Sequence, residues 1–314
     1  MGRPAPAVVA VDVGGTSIKA ALIGERGDVL HRIDVPTPVG DGTPAVVAAI
    51  RSAAAEVAAP GLVAAGIVVP GVVDVVTGTA RYSANIGWRD VPLGALLGED
   101  LGVPVAVDHD VRSAGLAERT LGRAHGVADC LVLVIGTGIA GVIVSGGAHV
   151  RGATDLAGEI GHVPVYPDGE VCACGQRGCA EAYASAASIA RRYRTLAGRE
   201  LDAAGVVAAR ASDPVAAQVW GAATDALALA VVGYTMLLDP ELIVLGGGLA
   251  EAGAALLEPV QAEVAARLTW RPPPAIEVSS LGSRAGQFGA ALLAWRAAGR
   301  DCDGWPGGSG TCRS

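Results

Sequence analysis

The sequence predicts an α/β protein built from two related units, and three observations carry that expectation. First, two stretches share one grammar. AVVAVDVGGTSIKAALI and CLVLVIGTGIAGVIV each run from a β-rich apolar block through a glycine turn into a second block. Second, helical patterns separate the strands, as in TPAVVAAIRSAAAEV from Thr43 and in the long apolar run beginning at Pro214. Third, 314 residues suffice for two domains. Hydrophobic residues make up 51% of the chain but aromatics only 4%, so the cores must pack Ala, Val and Gly closely.

In order, Ala7–Val13 reads as a buried strand, Gly14-Gly15 as a tight turn, and residues 18–23 and 29–35 as further strands. Thr43–Val57 reads as a helix and Leu62–Val69 as a strand. Residues 104–108 form a short strand leading into a helix over Asp110–Leu121. Strands over residues 131–135 and 142–144 flank the second glycine turn. A helix over Pro214–Leu238 then leads to a strand ending in Gly246-Gly247-Gly248. The domains expected are 1–109, an N-terminal α/β domain, and 110–284, a C-terminal α/β domain carrying a zinc loop. Residues 285–300 are set apart as a last segment, and 301–314 form a flexible Gly/Ser/Pro-rich tail holding Cys302 and Cys312 without a role.

Glycine turns of this kind let backbone N–H groups approach a phosphate. Gly14, Gly15 and Thr16 in the first turn, and Thr137 and Gly138 in the second, are the candidate contacts. Asp12, at the carboxyl end of the first strand, is placed to hold hydrated Mg²⁺. Lys19 is the one lysine in the chain; it suits a phosphate contact or a solvated strand end. The flat backbone at Gly247 and Gly248 offers a surface for an adenine or ribose, or for a packed helix.

The most specific segment is GEIGHVPVYPDGEVCACGQRGCAE, residues 158–181. His162, Cys172, Cys174 and Cys179 have the spacing of a closed four-ligand Zn²⁺ site, structural in type. Such a site holds a loop still. The loop presents Glu159, Glu181 and the His162 ring, a polar set suited to a polyhydroxylated small molecule. A disulfide is the alternative use of the cysteines. No secretory pattern precedes Asp12, so a cytoplasmic setting is expected, where clustered cysteines hold metal.

A net charge of −8 argues against nucleic acid as a partner. Residues 130–150 lack Asp, Glu, Lys and Arg over about the length of a membrane span. Five glycines and two short β-rich blocks make strand–turn–strand the expectation, with no membrane partner. Asp110 admits two readings. It is a favoured residue type for a helix cap, and it stands at a strand end, where α/β folds place ligands. A carboxylate there can accept a hydroxyl proton during phosphoryl transfer.

Taken together these motifs resemble the ROK family of sugar kinases and sugar-responsive repressors, from about residue 8 to 298. DVGGTSIK (12–19) and GTGIAGVIV (136–144) resemble its phosphate motifs, and VPGVVD (69–74) and SANIGW (83–88) its sugar-side segments. GEIGH with CACGQRGCAE resembles the family signature, LGGGLA (245–250) the adenosine motif, and GQFGAALLA (286–294) the hinge-closing helix. The resemblance implies a two-domain actin-like ATPase (ribonuclease H-like) fold with an interdomain cleft, and a closing helix over residues 285–300 that returns to the first domain. It implies ATP and Mg²⁺ near Asp12, Thr16 and Thr137, structural Zn²⁺, and Asp110 as the base acting on a sugar hydroxyl, usually the 6-hydroxyl of a hexose. Glu159, His162 and Glu181 would bind the sugar, with Gly71 and Asn85 nearby, and a homodimer is common in the family.

Two departures from the family pattern stand out. Members acting on glucose usually carry Asn-Asp where this chain has His109-Asp110, which leaves open an N-acetylhexosamine (N-acetylglucosamine or N-acetylmannosamine) or a sugar-like cyclitol as acceptor. Ala140 and Val142 replace glycines of the second phosphate turn. The repressor branch would need a helix-turn-helix ahead of Asp12 and a basic face. A non-catalytic sugar-binding protein would be expected to lack Asp110.

Overall fold

The structure, a computed structural model, describes residues 4–154, 156–302 and 312–313. The chain divides into two compact units, residues 1–122 with 284–314, and residues 123–283.

The first unit opens with β1 (Ala7–Val13), β2 (Ser17–Gly24) and β3 (Val29–Pro36), then α1 (Thr43–Val57) and β4 (Leu62–Val69). A small three-stranded sheet follows from β5 (Val72–Asp74), β6 (Thr79–Tyr82) and β7 (Arg89–Val91). Next come α2 (Leu93–Leu101), β8 (Val105–His109) and α3 (Asp110–Leu121). The main sheet has the order β3-β2-β1-β4-β8; β1, β4 and β8 are parallel, and β2 runs antiparallel to its neighbours. Every residue of β1 except Asp12 is buried, because both faces are covered. Val9, Val11, Ile67 and Val69 face Val46 and Ile50 of α1.

The second unit repeats the plan. It contains β9 (Cys130–Ile135), β10 (Ile139–Ser145) and β11 (Ala148–His149), then α4 (Glu181–Ala184), α5 (Ala186–Ala197), α6 (Ala203–Ala209) and α7 (Pro214–Leu238). It closes with β12 (Leu242–Gly246), α8 (Ala254–Arg267) and β13 (Ala275–Val278). Its sheet order is β11-β10-β9-β12-β13, the first unit's order strand for strand, with β9, β12 and β13 parallel. The uncharged run 130–150 is therefore strand, turn and strand, as its glycines predict.

Helix α7 is the one candidate among the described residues that is long and apolar enough to cross a membrane, and 56% of its most apolar window is buried in this unit's core. Asp213 starts it by accepting the Val215 N–H at 2.9 Å, and Pro214 fills the first position, where no N–H is needed. It stops at Asp239, whose left-handed backbone is followed by Pro240.

The last helix, α9 (Ala285–Ala297), belongs to the first unit, where it packs on β1, β4, β8 and α3. Glycines bring it close. A Cβ on Gly66 would collide with the Ala290 carbonyl, and one on Gly289 with the Ser113 carbonyl. This packing keeps α3 in the first unit, so the observed division falls one helix later than the boundary expected after residue 109. Two short strands, β14 (Asp301–Cys302) and β15 (Cys312–Arg313), pair antiparallel with Cys302 opposite Cys312. The rest of the tail, where mobility is expected, lies outside the described residues.

Candidate active site

The first glycine turn joins β1 to β2. Gly14 N–H donates to the Ser17 carbonyl at 2.8 Å, and Thr37 Oγ1 donates to the Gly14 carbonyl at 2.6 Å. Gly15 and Thr16 are exposed, with N–H groups available to a ligand. The register of this hairpin sets Asp12 opposite Lys19, and Lys19 opposite Asp34 on β3. On the other side Asp12 aligns with Val68, and Val68 with Asp108. Side chains paired in this way point to one sheet face, so a charged row crosses the sheet near the carboxyl ends of its parallel strands.

Asp12 sits half-buried under the first turn of α9. A Cβ on Gly286 would stand 2.6 Å from its Oδ2. Burial, reinforced by the Asp110 charge and opposed by Lys19, pushes the Asp12 carboxyl up to about 7. A carboxylate in that position is stabilised by a cation, which suits the Mg²⁺ role expected of it.

Asp110 is the first residue of α3, with a side chain 31% exposed. It does not cap the helix. The cap is His109, whose Nδ1 accepts the Val111 N–H at 3.2 Å; Asp110 Oδ1 accepts the same N–H at 2.7 Å. Asp108 Oδ1 accepts the His109 N–H at 2.7 Å and pairs with Arg112. Gly71, at φ +100°, turns against Tyr82 and Ser83, where no side chain fits. Asn85 is exposed on a loop held by buried Ile86 and Trp88 and by the bond from Gly87 N–H to the Ser83 carbonyl, 2.9 Å.

In the second unit the turn Gly136–Thr137–Gly138 is tied down by Glu181, whose Oε2 accepts the Ile139 N–H at 2.7 Å. A Cβ on Gly138 would lie 2.8 Å from that oxygen. Thr137 is exposed. Val142 is buried within β10, away from the turn itself. Gly247, at φ +82°, lies against the Ile135 backbone, and Gly248 is open.

The loop between β11 and α4 gathers the thiols and imidazole. Ligand atoms of His162, Cys172, Cys174 and Cys179 all lie within 4.8 Å of one another. His162 Nδ1 is 3.7 Å from Cys172 Sγ, and Cys174 Sγ is 3.7 Å from Cys179 Sγ. Tetrahedral bonds of about 2.0–2.3 Å put ligand atoms about 3.3–3.8 Å apart, so the cluster fits zinc. Burial pushes the Cys179 thiol up to about 12 and raises Cys172; the Gln176 backbone N–H lowers Cys174. His162 Nε2 faces away from the thiols, 3.9 Å from Glu159 Oε2. At that separation the two are neighbours without a hydrogen bond. Gly178 makes the loop compact, since its close contact with the Tyr166 carbonyl excludes a side chain. Tyr234 OH holds the Ile160 carbonyl at 2.7 Å.

Several of these groups escape sequence inspection. Gly286 sits in an apolar helix and gives no sign of touching Asp12. The Asp12–Lys19 pairing could have been counted out from the turn, because a short turn fixes hairpin register. The capping role of His109 had no signal beyond its place before Asp110.

Matched five-stranded sheets with a glycine turn opening each, and carboxylates at the strand ends, define the actin-like ATPase fold. The model of the ROK family matches residues 8–297. The chain belongs to that family. It is 34% identical to a glucokinase of Halalkalibacterium halodurans over 91% of this chain and 94% of that one. It is 33% identical to an N-acetylmannosamine kinase of Escherichia coli O157:H7, over 91% and 97%. Among solved structures, a ROK glucokinase of Streptomyces griseus in complex with glucose and AMPPNP superimposes with a TM-score of 0.83, at 31% identity, over 92% of this chain and 99% of that one.

Proposed function

We propose that this protein is an ATP-dependent hexose kinase that transfers the γ-phosphate to a hydroxyl of glucose or a related hexose, the 6-hydroxyl being the expected acceptor. The observation that carries this is the pairing of two carboxylates in one unit. Asp12 stands beside an open glycine turn, and Asp110 lies near enough to raise its proton affinity. The first suits a nucleotide-bound Mg²⁺ and the second a general base. The kinase relatives support the same reading.

Asp110 accepts the hydroxyl proton as the phosphoryl group arrives. Gly71, Asn85, His109, Glu159, His162 and Glu181 are the proposed sugar ligands. Gly14, Gly15, Thr16, Lys19, Thr137 and Gly138 contact phosphates, and Gly247 and Gly248 the nucleoside. His162, Cys172, Cys174 and Cys179 would hold Zn²⁺, which supplies rigidity to the loop bearing Glu159. We further infer a cytoplasmic homodimer, a state that light scattering in solution checks.

An N-acetylhexosamine as acceptor is the second reading, favoured by His109 and by the N-acetylmannosamine kinase relative. ADP release measured across glucose, mannose, fructose, N-acetylglucosamine, N-acetylmannosamine and a cyclitol separates the two. No ADP formation with any acceptor would remove the kinase assignment.

A further inference from the structure

His109 and Asp110 compete for one hydrogen. The Val111 N–H lies 2.7 Å from Asp110 Oδ1 and 3.2 Å from His109 Nδ1, and those two acceptors are 3.3 Å apart. A ring whose Nδ1 accepts must carry its hydrogen on Nε2. In that state two lone pairs face each other across 3.3 Å, with one N–H between them. A proton added at Nδ1 turns the repulsion into a charge-assisted hydrogen bond to Asp110. The His109 main-chain N–H is bound to Asp108 Oδ1 at 2.7 Å, and Asp108 is held by Arg112 at 2.7 Å.

We propose that His109 is a positioning residue for Asp110: neutral, it shares the Val111 N–H and leaves the carboxylate free to take a proton; protonated, it clamps that carboxylate in an ion pair. The proposal rests on Asp110 being the base of the kinase proposed above. Imidazole is rarely chosen as a helix cap, and an asparagine would fill the capping role alone. What histidine adds is a proton that comes and goes between pH 5 and 8.

The other charges around this corner are few. On α3 and β8 they are Asp108, Asp110, Arg112, Glu118 and Arg119. Among the elements packed against these two, β4 carries none, β5 carries Asp74, bonded to Arg81, and α2 carries Glu99 and Asp100, the latter bonded to Arg51. α9 carries Arg296, with Arg284 at its cap, and Asp12 on β1 acts on Asp110. Of these, Asp110 is the one whose carboxylate lies within 4 Å of the ring.

The clamp predicts the acid limb of activity. Protonation of the ring ties up the base, so kcat/KM of the wild type should fall as pH is lowered from 8 to 6. His109→Asn keeps a cap but has no proton to gain there, and its fall, left to groups such as Asp12 that both enzymes share, should be shallower than that of the wild type, each enzyme being assayed with its best hexose. His109→Ala, which loses the cap, should have a lower kcat than His109→Asn at pH 8. Independently of turnover, ¹⁵N spectra of the ring in the nucleotide-free protein, assigned by the resonance missing in His109→Asn, should show the hydrogen on Nε2 at pH 8. Equal pH dependence in wild type and His109→Asn, or a hydrogen on Nδ1 at pH 8, would overturn the proposal. If no variant phosphorylates any sugar, the kinase reading fails instead, and the ring spectrum still decides where His109 places its hydrogen.

Discussion

The two glycine-turn hairpins are built on one plan and furnished differently. In the first, Val13 pairs with Ile18 beside the turn, and the next pair out is Asp12 with Lys19. In the second, Ile135 pairs with Ile139, and the next pair is Val134 with Ala140. Equivalent positions therefore hold a carboxyl and an amine in register in one unit and two apolar side chains in the other. The carboxylate at the second turn comes from outside the hairpin: Glu181, at the start of α4, which bonds the Ile139 N–H. The difference separates two duties. Both units carry the same backbone turn, while the sheet of one holds the carboxylate we propose for Mg²⁺ and the other takes an anchoring carboxylate from beside a thiol-lined loop.

The widest gap between the units should appear when each loses its characteristic group. Asp110→Asn should lower kcat by about 10²–10⁴-fold with nucleotide and sugar binding retained, as read by ADP release and calorimetry. Retained turnover would move the base elsewhere. In the second unit, Cys174→Ala should lose bound zinc by elemental analysis and weaken sugar affinity by about 10–100-fold. Full affinity in the metal-free variant would free the sugar ligands from the loop.

Asp12 tests the first hairpin through stability. Its folded-state value of about 7 exceeds its ordinary 3.8. Between those pH values the folded protein therefore keeps a proton that the unfolded chain releases, and this group's contribution falls as pH rises from about 4 to 7. In metal-free buffer Asp12→Asn should raise stability by up to a few kcal/mol at pH 8, and the gain should vanish near pH 4, as read by chemical unfolding. A gain independent of pH would dissociate it from the buried charge. The smallest effect is expected at the second hairpin. Glu181→Ala leaves the Ile139 N–H without its partner and should cost about 1–3 kcal/mol at every pH above 5, whereas Glu181→Gln, which keeps an acceptor, should cost less.

Much of this was legible in the residues. Strand–glycine–strand patterning announces both hairpins because β-branched runs and short turns are local properties. The thiol spacing announces the His/Cys cluster because its four residues lie close in sequence. What stayed hidden depends on distant packing. The allegiance of α3 is fixed by α9, and the close fit of Gly289 to Ser113 joins residues far apart in the chain. Capping was one of two readings open for Asp110, because aspartate is a preferred type, yet β8 runs one residue further and delivers His109 to that position.

Lys19 is the chain's one ε-amine, and hairpin register sets it across from Asp12. Amine-directed reagents, apart from any that take the terminal amine, thus have a single target, and it lies on the strand leaving the first glycine turn. A fluorophore or crosslinker coupled by that chemistry would report from one known address, and protection of it by a bound nucleotide would be readable without engineering the chain.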